Sequence, residues 1–239
     1  MTPAEHMRQR RARLLLVIFD CDGVLVDSEK LSNAVLAADL SAHGWAMTPG
    51  EAERRFLGSN IDAIERDAEI ALGHRLPSQW RQGIKQKILS AMRARVGAIP
   101  GAVETLRTLS ARGTPWRVAS NSSHAEMAVK FDRIGVADLV AGRVHSFEDV
   151  ARGKPAPDVY LAAAAAEGVD PAECLVVEDS VPGATAAAAA GMQCLGFDPF
   201  SDGALLRQAG AIVFRDMAEL PALVALAEEC AEERAGDRA

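Results

Sequence analysis

Uninterrupted apolar runs recur along the chain. The run LLLVIF over residues 14–19 contains no polar position. A strand buried on both faces has this composition, whereas a half-exposed strand alternates polar and apolar residues. We therefore predict a buried strand here. Similar runs predict further strands over residues 116–119, 139–141, 174–177 and 193–197, with a weaker candidate over 211–214.

Helical segments that stop at a glycine separate these runs. Glycine just past a helix relieves the strain of a left-handed residue, so each such glycine is a physical stop signal. The predicted helices cover residues 102–112 before Gly113, 124–134 before Gly135, 158–167 before Gly168 and 183–190 before Gly191. Alternating strands and helices predict an α/β fold, a Rossmann-like three-layer sandwich with a mostly parallel sheet.

Residues 28–96 break this alternation, because only helical patterns occur there. A capping residue, a proline and an acid at Thr48, Pro49 and Glu51 predict one helix start. An all-helical insert after the first strand indicates a cap over the carboxyl edge of the sheet, where ligands of open α/β sheets bind. We therefore divide the chain into a flexible tail (1–13), an α/β core (14–27 and 97–239) and a helical cap domain (28–96).

Composition and charge narrow the classes of function. The chain has 239 residues, with 26 Lys and Arg against 33 Asp and Glu, for a formal net charge of −7. This balance argues against a general nucleic-acid binder, and no apolar run approaches the length of a membrane span. The four cysteines form no C-x-x-C pair, which predicts reduced thiols, a cytoplasmic location and no zinc site.

Two pairs of acids follow predicted buried strands. Asp20 and Asp22 follow the first, and because positions i and i+2 of an extended chain point the same way, both carboxylates can face one site. Glu178 and Asp179 end the strand predicted over 174–177. Four carboxylates at two strand ends form a hard oxygen site that suits Mg²⁺. The alternatives are an acidic turn at Asp20 and acidic caps of the following helices.

Two further positions supply a hydroxyl and a cation. Ser120 and Asn121 lie between a predicted strand and a helix, where a hydroxyl and backbone N–H groups can bind a phosphate oxygen or simply cap the helix. Lys154 lies in the run GKPAPD, where two prolines stiffen the backbone around one ammonium group. Most single lysines are solvated surface groups. The stiffened backbone around Lys154 makes it a candidate site residue instead.

In their order along the chain, these residues resemble the haloacid dehalogenase superfamily. The similarity rests on FDCDGVLVDSE over residues 19–29, Ser120, Lys154 in its GKPAPD setting, and Glu178-Asp179-Ser180 with Gly183. The helical insert is similar to the cap of the β-phosphoglucomutase and phosphoglycolate phosphatase-like branch. The resemblance implies an enzyme that transfers phosphoryl groups, with a small phosphorylated metabolite as its substrate.

The resemblance also implies a role for each residue. Asp20 is expected to be the nucleophile and Asp22 the general acid and base. Mg²⁺ is expected to bind the Asp20 carboxylate, the Asp22 backbone carbonyl and Asp179, with Glu178 alongside, directly or through water. The groups expected to bind phosphate or substrate are Ser120, Asn121, Lys154 and Gly23 in the core, and Glu29, Gly58 and Asn60 in the cap, with Phe56, Ser59 and Arg66 as further cap candidates.

Three functions remain open at this point. The first is a Mg²⁺-dependent phosphatase that acts on a sugar or polyol phosphate or a phosphorylated hydroxy acid through an aspartyl-phosphate. The second is a sugar-phosphate mutase, but Ser32 and Ile61 stand where β-phosphoglucomutases carry a hinge His and a cap Arg. The third is a non-catalytic binding protein, which the complete set of charged signatures disfavours. The chain is expected to be a monomer or a homodimer.

Overall fold

The computed structural model describes residues 1–8, 14–56, 59 and 61–236. The strands are β1 (Leu16–Phe19), β2 (Val26–Asp27), β3 (Gly97–Ala98), β4 (Trp116–Ser120), β5 (Val144–Ser146), β6 (Cys174–Glu178), β7 (Gln193–Phe197) and β8 (Ile212–Phe214). The helices are α1 (Pro3–Arg8), α2 (Glu29–Ala42), α3 (Pro49–Phe56), α4 (Ile61–Leu72), α5 (Trp80–Arg95), α6 (Ala102–Arg112), α7 (His124–Arg133), α8 (Ala137–Val140), α9 (Asp158–Glu167), α10 (Val181–Ala189), α11 (Ala204–Gln208) and α12 (Leu220–Gly236).

A six-stranded sheet in the order β5-β4-β1-β6-β7-β8 forms the centre of the molecule, and all of its pairings are parallel. Alternate residues of β1 enter two different hydrophobic clusters. Val17 and Phe19 pack with helices α6, α7 and α12, whereas Leu16 and Ile18 pack with α9 and α10. The sheet therefore has helices on both faces, which confirms the predicted α/β three-layer fold.

The strand predicted over residues 139–141 is wrong. Residues 137–140 form helix α8, and the strand that pairs with β4 begins at Val144. Gly142 lies between the two elements with a φ of +73°. A run of three apolar residues is too short to distinguish a buried strand from the buried side of a helix.

Residues 3–8, which lie in the expected tail, form helix α1. Met7 is fully buried in the same cluster as Leu220 and Val224. Thr2 and Glu5 cap this helix reciprocally, since the Glu5 N–H donates to Thr2 Oγ1 at 3.2 Å and the Thr2 nitrogen donates to Glu5 Oε2 at 2.7 Å. Residues 9–13 lie outside the described part of the chain.

Helices α2–α5 pack around a hydrophobic cluster of their own, with Leu40, Phe56 and Trp80 among its members. The predicted start of α3 is confirmed, because the Thr48 nitrogen donates to Glu51 Oε2 and the Glu51 nitrogen donates back to Thr48 Oγ1. The chain enters this region through β2 and leaves it through β3, which pair antiparallel. Among the described residues, no helix is both long and apolar enough to cross a membrane.

Candidate active site

The carboxyl ends of β1, β4 and β6 bring together residues that are far apart in sequence. Phe19 of β1 pairs with Val118 of β4 and Val177 of β6. The next residue, Asp20, donates its backbone N–H to Val177 O at 2.9 Å. Asp20, Ser120 and Glu178 therefore lie at one edge of the sheet, and all three are buried.

Lys154 links two of these carboxylates. Its Nζ lies 2.5 Å from Asp20 Oδ1 and 2.8 Å from Glu178 Oε1. Burial would lower the pKa of Lys154, but the two carboxylates outweigh it and raise the pKa above its usual value. Burial, opposed by Lys154 and reinforced by Glu178, raises the pKa of Asp20 to about 7. The site thus holds a buried ammonium between two acids.

Asn121 positions the Lys154 backbone with its side chain. The Lys154 N–H donates to Asn121 Oδ1 at 2.8 Å, and Asn121 Nδ2 donates to Lys154 O at 3.0 Å. A Cβ on Gly153 would lie 2.6 Å from Asn121 Oδ1, so glycine leaves the room that this pairing needs. Ser120 Oγ accepts the Ser122 N–H at 3.1 Å and thereby shapes the turn after β4.

Glu178 and Asp179 have opposite environments. Glu178 Oε2 accepts hydrogen bonds from its neighbours Asp179 N, Ser180 N and Ser180 Oγ at 2.8–2.9 Å. Its Oε1 accepts from Lys154 and from the Tyr160 hydroxyl at 3.0 Å. None of the described residues donates a hydrogen bond to the Asp179 carboxylate. Burial, followed by the Glu178 and Asp20 charges, raises the pKa of Asp179 well above its usual value.

The carboxylates of Asp20, Glu178 and Asp179 fit a metal ion. One oxygen from each lies within 4.8 Å of the others. Carboxylate oxygens are the ligands that hard divalent cations prefer. Among the described residues, Lys154 is the one cation that compensates these three acids. Gly23 adjoins this cluster with a φ of +77°, and a Cβ there would overlap the Asp179 carboxylate. The donor set is therefore suited to a divalent cation.

Asp22 is held apart from this cluster. Lys130 Nζ contacts both of its carboxylate oxygens at 2.7 Å, Ser122 Oγ donates at 2.7 Å, and Ser28 Oγ donates a further hydrogen bond. Burial would raise the pKa of Asp22, but Lys130 and these hydroxyls outweigh it and hold the pKa below its usual value.

Four residues of the site were not predicted from the sequence. These are Lys130, Ser28 and Ser122, which contact Asp22, and Tyr160, which contacts Glu178.

A cleft of about 450 Å³ opens beside Asp22 between the α2–α5 region and α7. Of the predicted cap residues, Glu29, Phe56 and Ser59 line it. Arg66 does not, since it borders a separate depression with His74. Gly58 and Asn60 lie outside the described residues.

Comparison with known proteins identifies the family. The sequence profile of the haloacid dehalogenase-like hydrolases matches residues 14–191. The chain belongs to this family. Haloacid dehalogenase-like hydrolases are enzymes, and the fold described above is shared by a family hydrolase from Deinococcus radiodurans R1 whose crystal structure contains bound phosphate and sodium. That structure is 34% identical, has a TM-score of 0.80, and the match covers 90% of this chain and 97% of that one.

Curated relatives of this haloacid dehalogenase-like hydrolase carry phosphatase names. It is 32% identical to the probable pseudouridine-5'-phosphatase of Drosophila melanogaster over 74% of this chain and 78% of that protein. It is 31% identical to hexitol phosphatase A of Escherichia coli (strain K12) over 77% of this chain and 83% of that protein. The bifunctional riboflavin kinase/FMN phosphatase of Arabidopsis thaliana is 32% identical over 75% of this chain, and the chain spans 47% of that longer protein.

Proposed function

We propose that this protein is a Mg²⁺-dependent phosphatase that hydrolyses a small phosphorylated metabolite through an aspartyl-phosphate at Asp20. The observation that carries the proposal is the contact of Lys154 with Asp20 beside Glu178 and Asp179. A buried carboxylate with an ammonium and a candidate metal site beside it is suited to approach a phosphate dianion. The phosphatase names of the relatives support a small phosphorylated metabolite as substrate, which we expect to be a sugar or polyol phosphate or a phosphorylated hydroxy acid.

In the first step, an Asp20 carboxylate oxygen attacks phosphorus in line, and the bond from phosphorus to the leaving oxygen breaks. Asp22 gives its proton to that oxygen. In the second step, Asp22 takes a proton from water as the water attacks phosphorus, and Asp20 is released as a carboxylate. Lys154 and Ser120, with the backbone of Asn121, are proposed to bind the phosphoryl oxygens.

Asp20, Asp179 and the Asp22 backbone carbonyl are the groups we propose to hold Mg²⁺. When bound, the cation offsets the repulsion between the Asp20 carboxylate and the phosphate. Glu178 is fully engaged by Lys154, Tyr160 and Ser180, which favours Asp179 over Glu178 as the direct ligand. Glu178 is then a positioning residue for Lys154.

Lys130 favours the ionised form of Asp22, which is the form that accepts a proton from water. To act as an acid in the first step, Asp22 must carry a proton and leave Lys130. We propose that residues 28–96 are a cap domain that changes this contact as it closes, because Ser28 at its edge donates to Asp22. We also propose a cytoplasmic location, since the buried Cys21 and Cys194 are free thiols, as is usual in that compartment.

The test is phosphate release from a panel of phosphorylated metabolites with Mg²⁺, for wild type and Asp20→Asn side by side. The panel includes hexose 1- and 6-phosphates, hexitol phosphates, phosphoglycolate and 6-phosphogluconate. Release that is lost in Asp20→Asn, with unchanged circular dichroism, supports the phosphatase. Conversion of β-glucose 1-phosphate without phosphate release, when a bisphosphate primer is added, would instead indicate a mutase. No reaction in either assay would contradict the proposal.

A further inference from the structure

The cleft beside Asp22 has a strong excess of negative charge. Its described lining includes four carboxylates, those of Asp22, Glu29, Glu53 and Glu126, and a single cation, Lys130. These carboxylates come from both sides of the cleft, since Glu29 and Glu53 lie on α2 and α3, whereas Glu126 lies on α7. In the proposed mechanism the leaving group receives its proton from Asp22, so it lies next to this space.

Lys130 has no donor left for a ligand. An ammonium group has three N–H donors. Three acceptors lie within hydrogen-bond distance of Lys130 Nζ: the two Asp22 oxygens at 2.7 Å and Ser122 Oγ at 2.8 Å. Its charge is also neutralised by Asp22. In this arrangement an anionic group in the cleft meets Glu29, Glu53 and Glu126 with no free cation among the described lining residues. When Asp22 carries a proton and leaves Lys130, as the proposed first step requires, these three carboxylates still outnumber the one ammonium group.

The remaining lining suits hydroxyl groups on a carbon chain. Ser32, Asn33 and Ser59 are neutral hydrogen-bonding residues, and Ile88 and Met92 provide an apolar wall. Carboxylate oxygens accept hydrogen bonds and cannot donate them when ionised, so they favour ligand groups that donate. The volume of about 450 Å³ lies within the range of small-molecule sites.

The acids in the cleft are close enough for their charges to shift one another's pKa. Partial enclosure, followed by the Asp22 and Glu53 carboxylates, raises the pKa of Glu29. A further anion placed among these groups adds to the same repulsion, whereas a hydroxyl-bearing group relieves part of it by donating hydrogen bonds.

We propose that this cleft binds an uncharged, polyhydroxylated leaving group and discriminates against substrates that carry a second anionic group. The inference rests on the proposed phosphatase activity and narrows its substrate class to phosphates of polyols, neutral sugars and similar neutral hydroxylated compounds. Phosphorylated acids and bisphosphates are then poor substrates, because like charges placed together in a binding site are unfavourable.

Sorbitol 6-phosphate and 6-phosphogluconate test this proposal as a matched pair, because they differ at the end remote from phosphate by a hydroxymethyl group against a carboxylate. The measured quantity is the ratio of kcat/KM for the neutral compound to kcat/KM for the acid, with Mg²⁺. We expect a ratio of at least about 10 in the wild type, since like-charge contacts cost more than 1.4 kcal/mol, the equivalent of one factor of ten.

Glu53→Gln tests whether the cleft carboxylates cause this ratio of kcat/KM values. Glu53 is exposed at the cleft, so its replacement does not disturb a buried core. We expect the ratio to fall about fivefold in Glu53→Gln and further in Glu53→Lys, because one repulsive charge is removed or reversed. Glu104→Gln is the matched control: it removes the same charge from an exposed position on α6, outside the cleft lining, and is expected to keep the wild-type ratio.

Hydrolysis of p-nitrophenyl phosphate in the same buffer separates two kinds of failure. If this compound is hydrolysed but sorbitol 6-phosphate is not preferred over 6-phosphogluconate, or if Glu53→Gln and Glu53→Lys behave like Glu104→Gln, the charge-selective cleft is wrong and the phosphatase stands. If none of the three phosphates is hydrolysed, the proposed phosphatase itself fails, and the cleft assignment fails with it.

Discussion

Lys130 and Asp22 form a partly buried ion pair between residues 108 positions apart in the chain, with Lys130 Nζ 2.7 Å from each carboxylate oxygen. The pair joins α7 to the turn that follows β1. Ser28 donates to the same carboxylate from the start of the cap region, and Ser122 donates from the turn after β4. One carboxylate thus connects three parts of the fold at the proposed active site.

Lys130→Met is expected to destabilise the protein strongly. The substitution keeps the length and apolar stem of the side chain but leaves a largely enclosed carboxylate without its cation, a change that costs about 3–5 kcal/mol. Urea unfolding monitored by circular dichroism measures the loss in the free energy of unfolding. Lys85→Met, which replaces an exposed lysine on α5, is the control and is expected to change this free energy by less than about 0.5 kcal/mol.

The double variant Asp22→Asn/Lys130→Met separates the ion pair from general damage. If the loss of the ion pair causes the destabilisation, the double variant loses less free energy of unfolding than the two single variants lose together. Neither partner is then left as an uncompensated charge. Strict additivity would show that Lys130 acts through packing alone.

Asp179→Asn is expected to stabilise the metal-free protein while removing its response to Mg²⁺. The Asp179 carboxylate is crowded by Glu178 and Asp20 and receives no hydrogen bond from the described residues, so neutralising it relieves repulsion. In EDTA we expect the Tm to rise by about 3 °C. Mg²⁺ should raise the Tm of the wild type through mass action but not that of the variant.

Glu178→Gln is the contrasting variant. Because Glu178 accepts hydrogen bonds from Lys154, Tyr160 and Ser180, its loss leaves buried donors unpaired, and the Tm in EDTA should fall by roughly 6–12 °C. A lower Tm for Asp179→Asn in EDTA, or an undiminished Mg²⁺ response, would refute the assignment of Asp179 as the direct ligand.

Asp22→Asn should separate the two proposed chemical steps. p-Nitrophenolate leaves readily without a proton from the enzyme, so attack by Asp20 should survive in this variant, whereas activation of water should not. Stopped-flow measurements with p-nitrophenyl phosphate are expected to show a burst of about one equivalent of product per active site, followed by slow turnover. Asp20→Asn is the control and should give no burst. Slow turnover without a burst would place Asp22 in the first step even for this substrate.

Gly23→Ala is expected to lower stability by at least about 2 kcal/mol. Gly23 has a left-handed backbone, and a Cβ there would overlap the Asp179 carboxylate. Gly83→Ala is a control near the start of α5, where no atom lies within 4 Å of the added Cβ. It should stabilise the protein by about 0.5–1 kcal/mol, as alanine does in helices. Thermal unfolding distinguishes the two, and equal Tm changes would contradict this interpretation of Gly23.

The strand-end acids and Lys154 are the part of the site that sequence patterns could predict. Asp20 and Glu178 directly follow or end apolar runs, and the carboxyl ends of parallel strands meet at one edge of a sheet. The residues that contact Asp22 and Glu178 have no comparable pattern in the sequence. Lys130 lies in a helix where a lysine ordinarily faces solvent, and Tyr160 is far from Glu178 in sequence. Only the packing of α7 and α9 against the sheet brings them to the site.

The start of helix α1 has a local sequence pattern that predicts a helix. Thr2-Pro3-Ala4-Glu5 has the same pattern as Thr48-Pro49-Gly50-Glu51, which correctly predicted the start of α3. In both places the threonine and the glutamate cap each other reciprocally. The arginine-rich run RQRRAR over residues 8–13 is typical of a solvated segment, which favours a flexible tail. The burial of Met7 depends on α12 and has no local signature.

Trapping the phosphorylated residue is the decisive experiment. An acyl phosphate is reduced by borohydride to the alcohol, so quenching the enzyme during turnover of p-nitrophenyl phosphate with Mg²⁺ should convert the phosphorylated aspartate into homoserine. Trypsin cleavage after Arg13 and Lys30 releases residues 14–30, and fragmentation of this peptide by mass spectrometry distinguishes position 20 from 22 and 27. We expect homoserine at position 20 in the wild type and none in Asp20→Asn. Phosphate release without homoserine at position 20, or homoserine at another aspartate, would contradict Asp20 as the nucleophile.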